Sequence, residues 1–163
     1  RYDKIHLFDV QVDDAVGGYQ ESKFFEPGTN VVVAKTPFGN IGLMVCYDLR
    51  FPELALTLRS QGANILTAPA AFTYTTGQMH WQLLLQARAI DSQCHVLGAA
   101  QQGWHGEKRQ TWGHAGATNS RGQILDIIDT KGASLITVPF DLAEQEAVRA
   151  SMPLIQHRKI INF

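Results

Sequence analysis

The stretch GLMVCYDLR, residues 42–50, carries an apolar run directly into Cys46, with Tyr47, Asp48 and Arg50 following without a spacer. A cysteine placed there can serve as a nucleophile. In open α/β sheets reactive groups gather at the carboxyl ends of strands, and a nearby cation or helix start stabilises the attacking thiolate. The opposing reading is a packing residue, because free cysteines are among the most buried side chains. Lys4 shifts the balance: it precedes apolar Ile5, Leu7 and Phe8 in a segment expected to enter the core. A desolvated ammonium there is costly unless it has a partner or a task. Glu21, in YQESKFF, stands among aromatics and can pair with such a lysine, although alone it reads as a surface residue. Arg50 carries a guanidinium that binds carboxylates through two parallel hydrogen bonds, either on a substrate or on Asp48 or Glu53 in a structural pair.

The elements that must position these residues follow an α/β rhythm. VVVAK, the turn PFGN and IGLMVCYD predict a hairpin leading into a buried strand. FPELALTLRSQGAN predicts a short helix with Pro52 in its first turn, apolar Leu54, Ala55 and Leu58, and Gly62 as its stop. NILTAPAA, residues 64–71, reads as a second strand, and the polar TYTTGQ after it as a loop. In MHWQLLLQARAIDSQC, Leu83, Ala87, Ile90 and Cys94 form a helical stripe that predicts a core face and makes Cys94 a core residue. HVLGAAQQG, residues 95–103, is a third strand. Strands alternating with crossover helices should run parallel. Phe72 and Thr73, just past the second strand, are then expected to wall a pocket beside Cys46. Beyond the polar WHGEKRQTW, the stretch GATNSRGQILDIIDTKGASLITVPF predicts antiparallel strands joined by RG and KG turns. Asp141 and Glu144 open a last helix that Pro153 stops, leaving LIQHRKIINF as a loose tail.

The chain has 163 residues, 45% hydrophobic and 18% charged, which suits one ordinary globular domain, residues 1–163. A net charge of -1 gives no electrostatic reason to expect nucleic acid or an anionic membrane as partner. Two widely separated cysteines without disulfide or zinc spacing point to a reducing, cytoplasmic compartment. His80, His95, His105 and His114 have no metal-ligand spacing, so no metal and no cofactor is expected. GNIG at 39–42 is a turn and not a dinucleotide fingerprint.

KIHLF at 4–8, the glutamate of QES followed by PG at 27–28, GLMVCYDLRFPEL at 42–54, WQLLLQARAI at 81–90 and QQG at 101–103 run in order over nearly the whole chain. Together they resemble the nitrilase, or carbon-nitrogen hydrolase, superfamily, and most closely its Nit branch of omega-amidases and deaminated glutathione amidases. The resemblance implies a four-layer α-β-β-α sandwich and a cysteine hydrolase in which Cys46 is the nucleophile, Lys4 the catalytic lysine and Glu21 an additional glutamate that orients the site. The oxyanion donors would be Lys4 and the Tyr47 N–H. The expected substrate is a small carboxylated compound with a primary amide or other non-peptide C–N bond, held by Arg50, and the expected assembly is a homodimer with residues 51–61 at its interface. The family's general-base glutamate lies upstream of the lysine motif, and this sequence begins three residues before Lys4. The resemblance therefore implies an N-terminally incomplete version of the domain with weak or absent turnover on its own. One departure stands in GHAGATNSRG, residues 113–122, where Ala115 and Asn119 replace a serine and an aspartate of many relatives. Two other readings compete: a silent remnant or binding protein, and a Cys-His hydrolase, which needs an imidazole beside the sulfur.

Overall fold

The structure is a computed structural model that describes residues 1–129 and 132–160. Two short strands, β1 (Asp9–Gln11) and β2 (Gly18–Gln20), pair antiparallel outside the main sheet. β3 (Val33–Thr36) and β4 (Gly39–Leu43) form the expected hairpin. From β4 the chain passes through α1 (Pro52–Ser60) to β5 (Ile65–Thr67), then through α2 (Tyr74–Ser92) to β6 (His95–Gly98), and these three strands run parallel. A second outlying hairpin, β7 (Gln102–His105) with β8 (Arg109–Trp112), precedes β9 (Gly116–Thr118) and β10 (Ile124–Ile127), which close the sheet antiparallel. The sheet order is β10-β9-β6-β5-β4-β3.

The strand register places Gly42, Leu66 and Val96 in one row, with Gly98 two residues on along the same face. Both helices pack there. A Cβ on Gly42 would meet Leu66 Cδ2 at 2.7 Å, and one on Gly98 would meet Trp81 Cζ2 at 2.6 Å, so these glycines let α1 and α2 approach the sheet. Leu58, Leu66, Trp81 and Leu85 are fully buried between the layers, each stabilising the fold by about 1.5–3 kcal/mol. The opposite face carries Ile41, Leu43 and Ile65, all half-buried, and Leu97, 37% exposed. The described residues therefore supply two layers of the expected sandwich, one sheet and the helices against it.

Three expectations for α2 and its surroundings need correction. TYTTGQ is not a loop but the first turns of α2, because Thr73 caps the helix through its Thr76 N–H and Gly77 packs against Trp112. The stripe Leu83, Ala87, Ile90 is not the core face: Leu83 is 64% and Ile90 51% exposed, while Trp81, Leu85 and Ala89 are buried. The triplet Leu83-Leu84-Leu85 fits either face, and Leu83 lies about 200° around the helix from Leu85; the bulk of Trp81 decides between them. Cys94 is buried as expected, but it follows the helix, after Gln93 turns the chain at a positive φ of 52°.

The RG turn between β9 and β10 is present, with Asn119 Oδ1 accepting the N–H groups of Arg121 and Gln123. Thr130 and Lys131 of the expected KG turn lie outside the described residues. SLITVPF forms no strand, because it crosses the end of the sheet, where Phe140 meets the His95 ring at 4.9 Å. Asp141 caps α3 (Leu142–Ser151) by accepting from Ala143 and Glu144 N–H, and Arg149 fastens that helix to the carbonyls of Ala63 and Gln93. The start of the tail forms α4 (Leu154–His157), and Ile161, Asn162 and Phe163 lie outside the described residues. Among the described residues no helix is long and apolar enough to cross a membrane.

Candidate active site

β4 ends at Leu43, and three residues later the backbone turns sharply: Cys46 has φ 52° and opens a 3-10 turn, Cys46–Arg50. A positive φ is unfavourable for a side chain other than glycine, so its presence at this position marks a site held in place by its surroundings. The Cys46 N–H is tied to the Pro69 carbonyl at 2.9 Å, which fixes the turn against the strand-end segment of β5.

Asp48 holds the turn to the N-terminal segment. Its fully buried carboxylate accepts the Tyr2 hydroxyl at 2.6 Å, the His6 N–H at 3.0 Å and the Val45 N–H at 2.9 Å, and it contacts His6 Nδ1 at 2.7 Å. His6 also stacks on Phe51 with ring centroids 3.6 Å apart. Two anchors, at residues 2 and 6, thus bracket Lys4 and hold its segment against the Cys46 turn. Lys4 Nζ donates to Glu21 Oε2 at 2.5 Å, and the same oxygen accepts the Phe8 N–H at 2.7 Å. The Lys4 side chain is only 13% exposed.

Lys4, Glu21, Cys46, Tyr47, Arg50, Phe72 and Thr73 all line one cavity of about 960 Å³. The tertiary structure thereby brings together these seven candidates, which span residues 4 to 73 of the sequence. Burial pushes the Cys46 thiol above its ordinary pKa, against the backbone N–H groups of Ala71 and Tyr47 and the Lys4 charge, which pull it down, while Glu21 adds to the upward push. Burial thus favours the neutral thiol form, with the backbone N–H groups of Ala71 and Tyr47 on the side of the charged one.

Arg50 has no ion pair with Asp48 or Glu53, so of the two readings of its guanidinium the structural pair is not realised. Instead its Nη1 meets His80 Nδ1 at 3.3 Å and its Cζ lies 5.1 Å from the Phe72 ring centre. Burial lowers its pKa, against the opposing influence of Tyr47 and Cys46. Phe72 is braced edge-on by Trp81 at 5.0 Å. Among the described residues no histidine lines the cavity, so the imidazole that the Cys-His reading needs beside the sulfur is not found there. Among the described residues no three His, Cys, Asp or Glu side chains gather to hold a metal.

Sequence reasoning missed Asp48 as the anchor of the Lys4 segment and Arg109 as a lining residue. For Asp48 the signal was its place two residues after the cysteine in a run otherwise apolar. For Arg109 it was the turn GEK between QGWH and RQTW, which marks a hairpin inside a segment read only as polar loop.

Comparison with known proteins places these features in context. A model of the family described as carbon-nitrogen hydrolase matches residues 1–150. A deaminated glutathione amidase of Yersinia enterocolitica is 47% identical over 162 residues, covering 99% of this chain and 56% of that protein. The crystal structure of the Caenorhabditis elegans NitFhit protein superposes with a TM-score of 0.84 at 40% identity, covering 97% of this chain and 38% of that one. Saccharomyces cerevisiae Nit3, a member of branch 10 of the nitrilase superfamily, superposes with a TM-score of 0.78 at 33% identity, over 85% of this chain and 51% of that one. The chain spans about half the length of the curated deaminated glutathione amidases it matches.

Proposed function

The chain belongs to the carbon-nitrogen hydrolase family, and on that premise we propose that it is an amidase acting through a Cys46 thioester on the primary amide, or another non-peptide C–N bond, of a small carboxylated compound. The observation that carries this reading is the Cys46 sulfur set in one cavity with the Lys4-Glu21 pair and with an Arg50 guanidinium that pairs with no carboxylate among the described residues. The relatives named deaminated glutathione amidase support a carboxylated amide as substrate.

Arg50 takes the substrate carboxylate and so sets the carbonyl against Cys46. The Cys46 sulfur attacks the carbonyl carbon while its proton passes, directly or through solvent, to the amide nitrogen that is to leave. As the S–C bond forms, the oxygen takes up charge that the Lys4 ammonium and the Tyr47 N–H stabilise. The C–N bond then breaks, the amine leaves with a proton as ammonia or a small amine, and water hydrolyses the thioester to the acid and the free thiol. That last step needs a base. Among the described residues Glu21 is the one carboxylate that lines the cavity, and it is occupied by Lys4 and the Phe8 N–H. A chain of these 163 residues is therefore proposed to acylate and then turn over slowly, by a factor on the order of 100 to 10,000 below an enzyme with a free base.

Incubation with glutaramate tests both parts. The expected result is ammonia released up to about one equivalent per chain, with a glutaryl adduct at Cys46 in the intact mass and slow release afterwards. Steady turnover at the rate of a longer relative would remove the slow-turnover part. Binding of the amide with neither ammonia nor adduct would establish the competing reading, a silent binding protein, which the occupied Glu21 and the raised thiol pKa favour.

A homodimer is part of the same proposal. α1 packs beside α2, and α2 presents Met79, Leu83 and Ile90 outward, each more than half exposed. Sedimentation is expected to give a dimer for the chain and a monomer for Leu83→Lys; an unchanged mass for that variant would remove α2 from the interface. Two free cysteines are in keeping with a cytoplasmic setting.

A further inference from the structure

We propose that His80 is the positioning residue of the Arg50 anchor: its neutral ring holds one edge of the guanidinium and leaves the other edge, with the charge intact, for the carboxylate of the substrate. This rests on the amidase reading above and adds the residue through which Arg50 is aimed. His80 is not among the described residues that line the cavity, so it acts from behind the arginine.

The acids nearest Arg50 in the sequence are both engaged elsewhere. Asp48 is fully buried and accepts from the Tyr2 hydroxyl and from the N–H groups of His6 and Val45. Glu53 interacts instead with Arg88, about two turns further along α2 than His80. The partner left to Arg50 is His80, whose Nδ1 lies 3.3 Å from Nη1. A guanidinium only donates, so that nitrogen accepts, and the ring is neutral with its proton on Nε2. An acid in this place would cancel the charge and compete with an incoming carboxylate. A neutral acceptor fixes the group and leaves its charge whole. With Nη1 taken, Nε and Nη2 form the remaining parallel pair of donors, and among the described residues neither makes a hydrogen bond. That is the two-pronged edge that a carboxylate fits.

The helix that carries His80 holds it still. Three residues before it, Gly77 lies so close to Trp112 that a Cβ there would come within 2.2 Å of the tryptophan's own. The next residue, Trp81, is fully buried and donates from Nε1 to the His114 carbonyl at 2.6 Å. An acceptor pinned on both sides cannot follow a wandering side chain, so the flexible arginine comes to it. Aromatic rings support the guanidinium as well: its Cζ is 5.1 Å from the centre of Phe72, which Trp81 braces edge-on, and 5.9 Å from that of Tyr47. α2 thus acts on Arg50 twice, through His80 directly and through Trp81 by way of Phe72. The direction of the anchor is set before substrate arrives, which lowers the entropy lost on binding.

The test compares two amides of equal length, glutaramate, which carries a carboxylate, and pentanamide, which has a methyl group in its place. Cys46 acylation is followed by intact mass against amide concentration, below the Tm of each variant, and the quantity read is the ratio of the two half-saturating concentrations. The wild type is expected to favour glutaramate by roughly 10- to 100-fold, and Arg50→Gln to lose that preference. His80→Phe is expected to shrink the preference by roughly 10-fold, through half-saturation more than through the limiting rate. His80→Asn sets an amide oxygen where Nδ1 stands and should restore most of it. An unchanged ratio in His80→Phe, an equal loss with both amides, or a His80→Asn variant no better than His80→Phe overturns the proposal. If the wild type shows no preference, or Arg50→Gln keeps it, Arg50 is not the carboxylate anchor and the proposal falls while the thioester chemistry stands. If neither amide acylates Cys46, the amidase reading has failed. Calorimetric binding of glutaramate then decides the His80-Arg50 pair by itself: weaker binding to His80→Phe with recovery in His80→Asn supports it, and unchanged or absent binding overturns it.

Discussion

Cys46→Ala is expected to abolish both the glutaryl adduct and ammonia release, a loss on the order of 10,000-fold or more, while the fold survives. Alanine and cysteine meet the positive φ at this position with the same Cβ, so the strain is common to both and the stability difference is small. The wild-type thiol has its own signature. Burial raises its pKa, so iodoacetamide alkylation of Cys46 should be slow at neutral pH and keep rising beyond the pH at which an exposed cysteine levels off. Cys94 does not confuse the readout, being fully buried. Two charges that act on the sulfur, Lys4 and Glu21, do so in opposite senses. Glu21→Gln removes an influence that raises the pKa and should speed alkylation, whereas Lys4→Gln removes one that lowers it and should slow alkylation. Identical pH profiles for the two variants and the wild type would show that neither side chain acts on the sulfur.

Asp48→Ala is expected to cost about 3 kcal/mol or more, read as a large fall in Tm by circular dichroism. The substitution leaves the Val45 and His6 N–H groups and the Tyr2 hydroxyl without their acceptor in a place where the carboxylate itself is fully buried. The effect reaches beyond stability. Residues 2 and 6 bracket Lys4, so their release should let the ammonium leave its position even at temperatures where the sheet and helices remain intact. Acylation of Cys46, measured well below the lowered Tm, should then fall along with alkylation. Asp48→Asn keeps one acceptor oxygen and should fall between. If Tm drops but acylation at low temperature matches the wild type, Asp48 is a packing residue and has no positioning role.

Much of this was legible in the chain because the signals are local. Pro52, the apolar positions of α1 and Gly62 mark a helix within a dozen residues, and the alternation of strands with α1 and α2 calls for parallel neighbours, as β4, β5 and β6 show. The short-range motif around Cys46 and the KIHLF segment identified the chemistry to look for. Other features depend on what lies across the fold. The face α2 buries was misread because Leu83, Leu84 and Leu85 satisfy two periodicities, and only the docking of Trp81 over Gly98 selects one. SLITVPF has the composition of a strand, yet a strand exists only where another offers its backbone edge.

The sequence by itself determined which residue types are available for catalysis and the α/β order of the elements that carry them, since propensity, turns and motif spacing are properties of neighbours along the chain. Only the tertiary structure decided that Asp48 faces inward to hold the Lys4 segment and not outward to meet Arg50, and that Arg109 joins the same cavity from a hairpin 63 residues beyond Cys46. A charge acquires its role from the partners that burial leaves it, and those partners are assembled by contacts between residues far apart in the sequence.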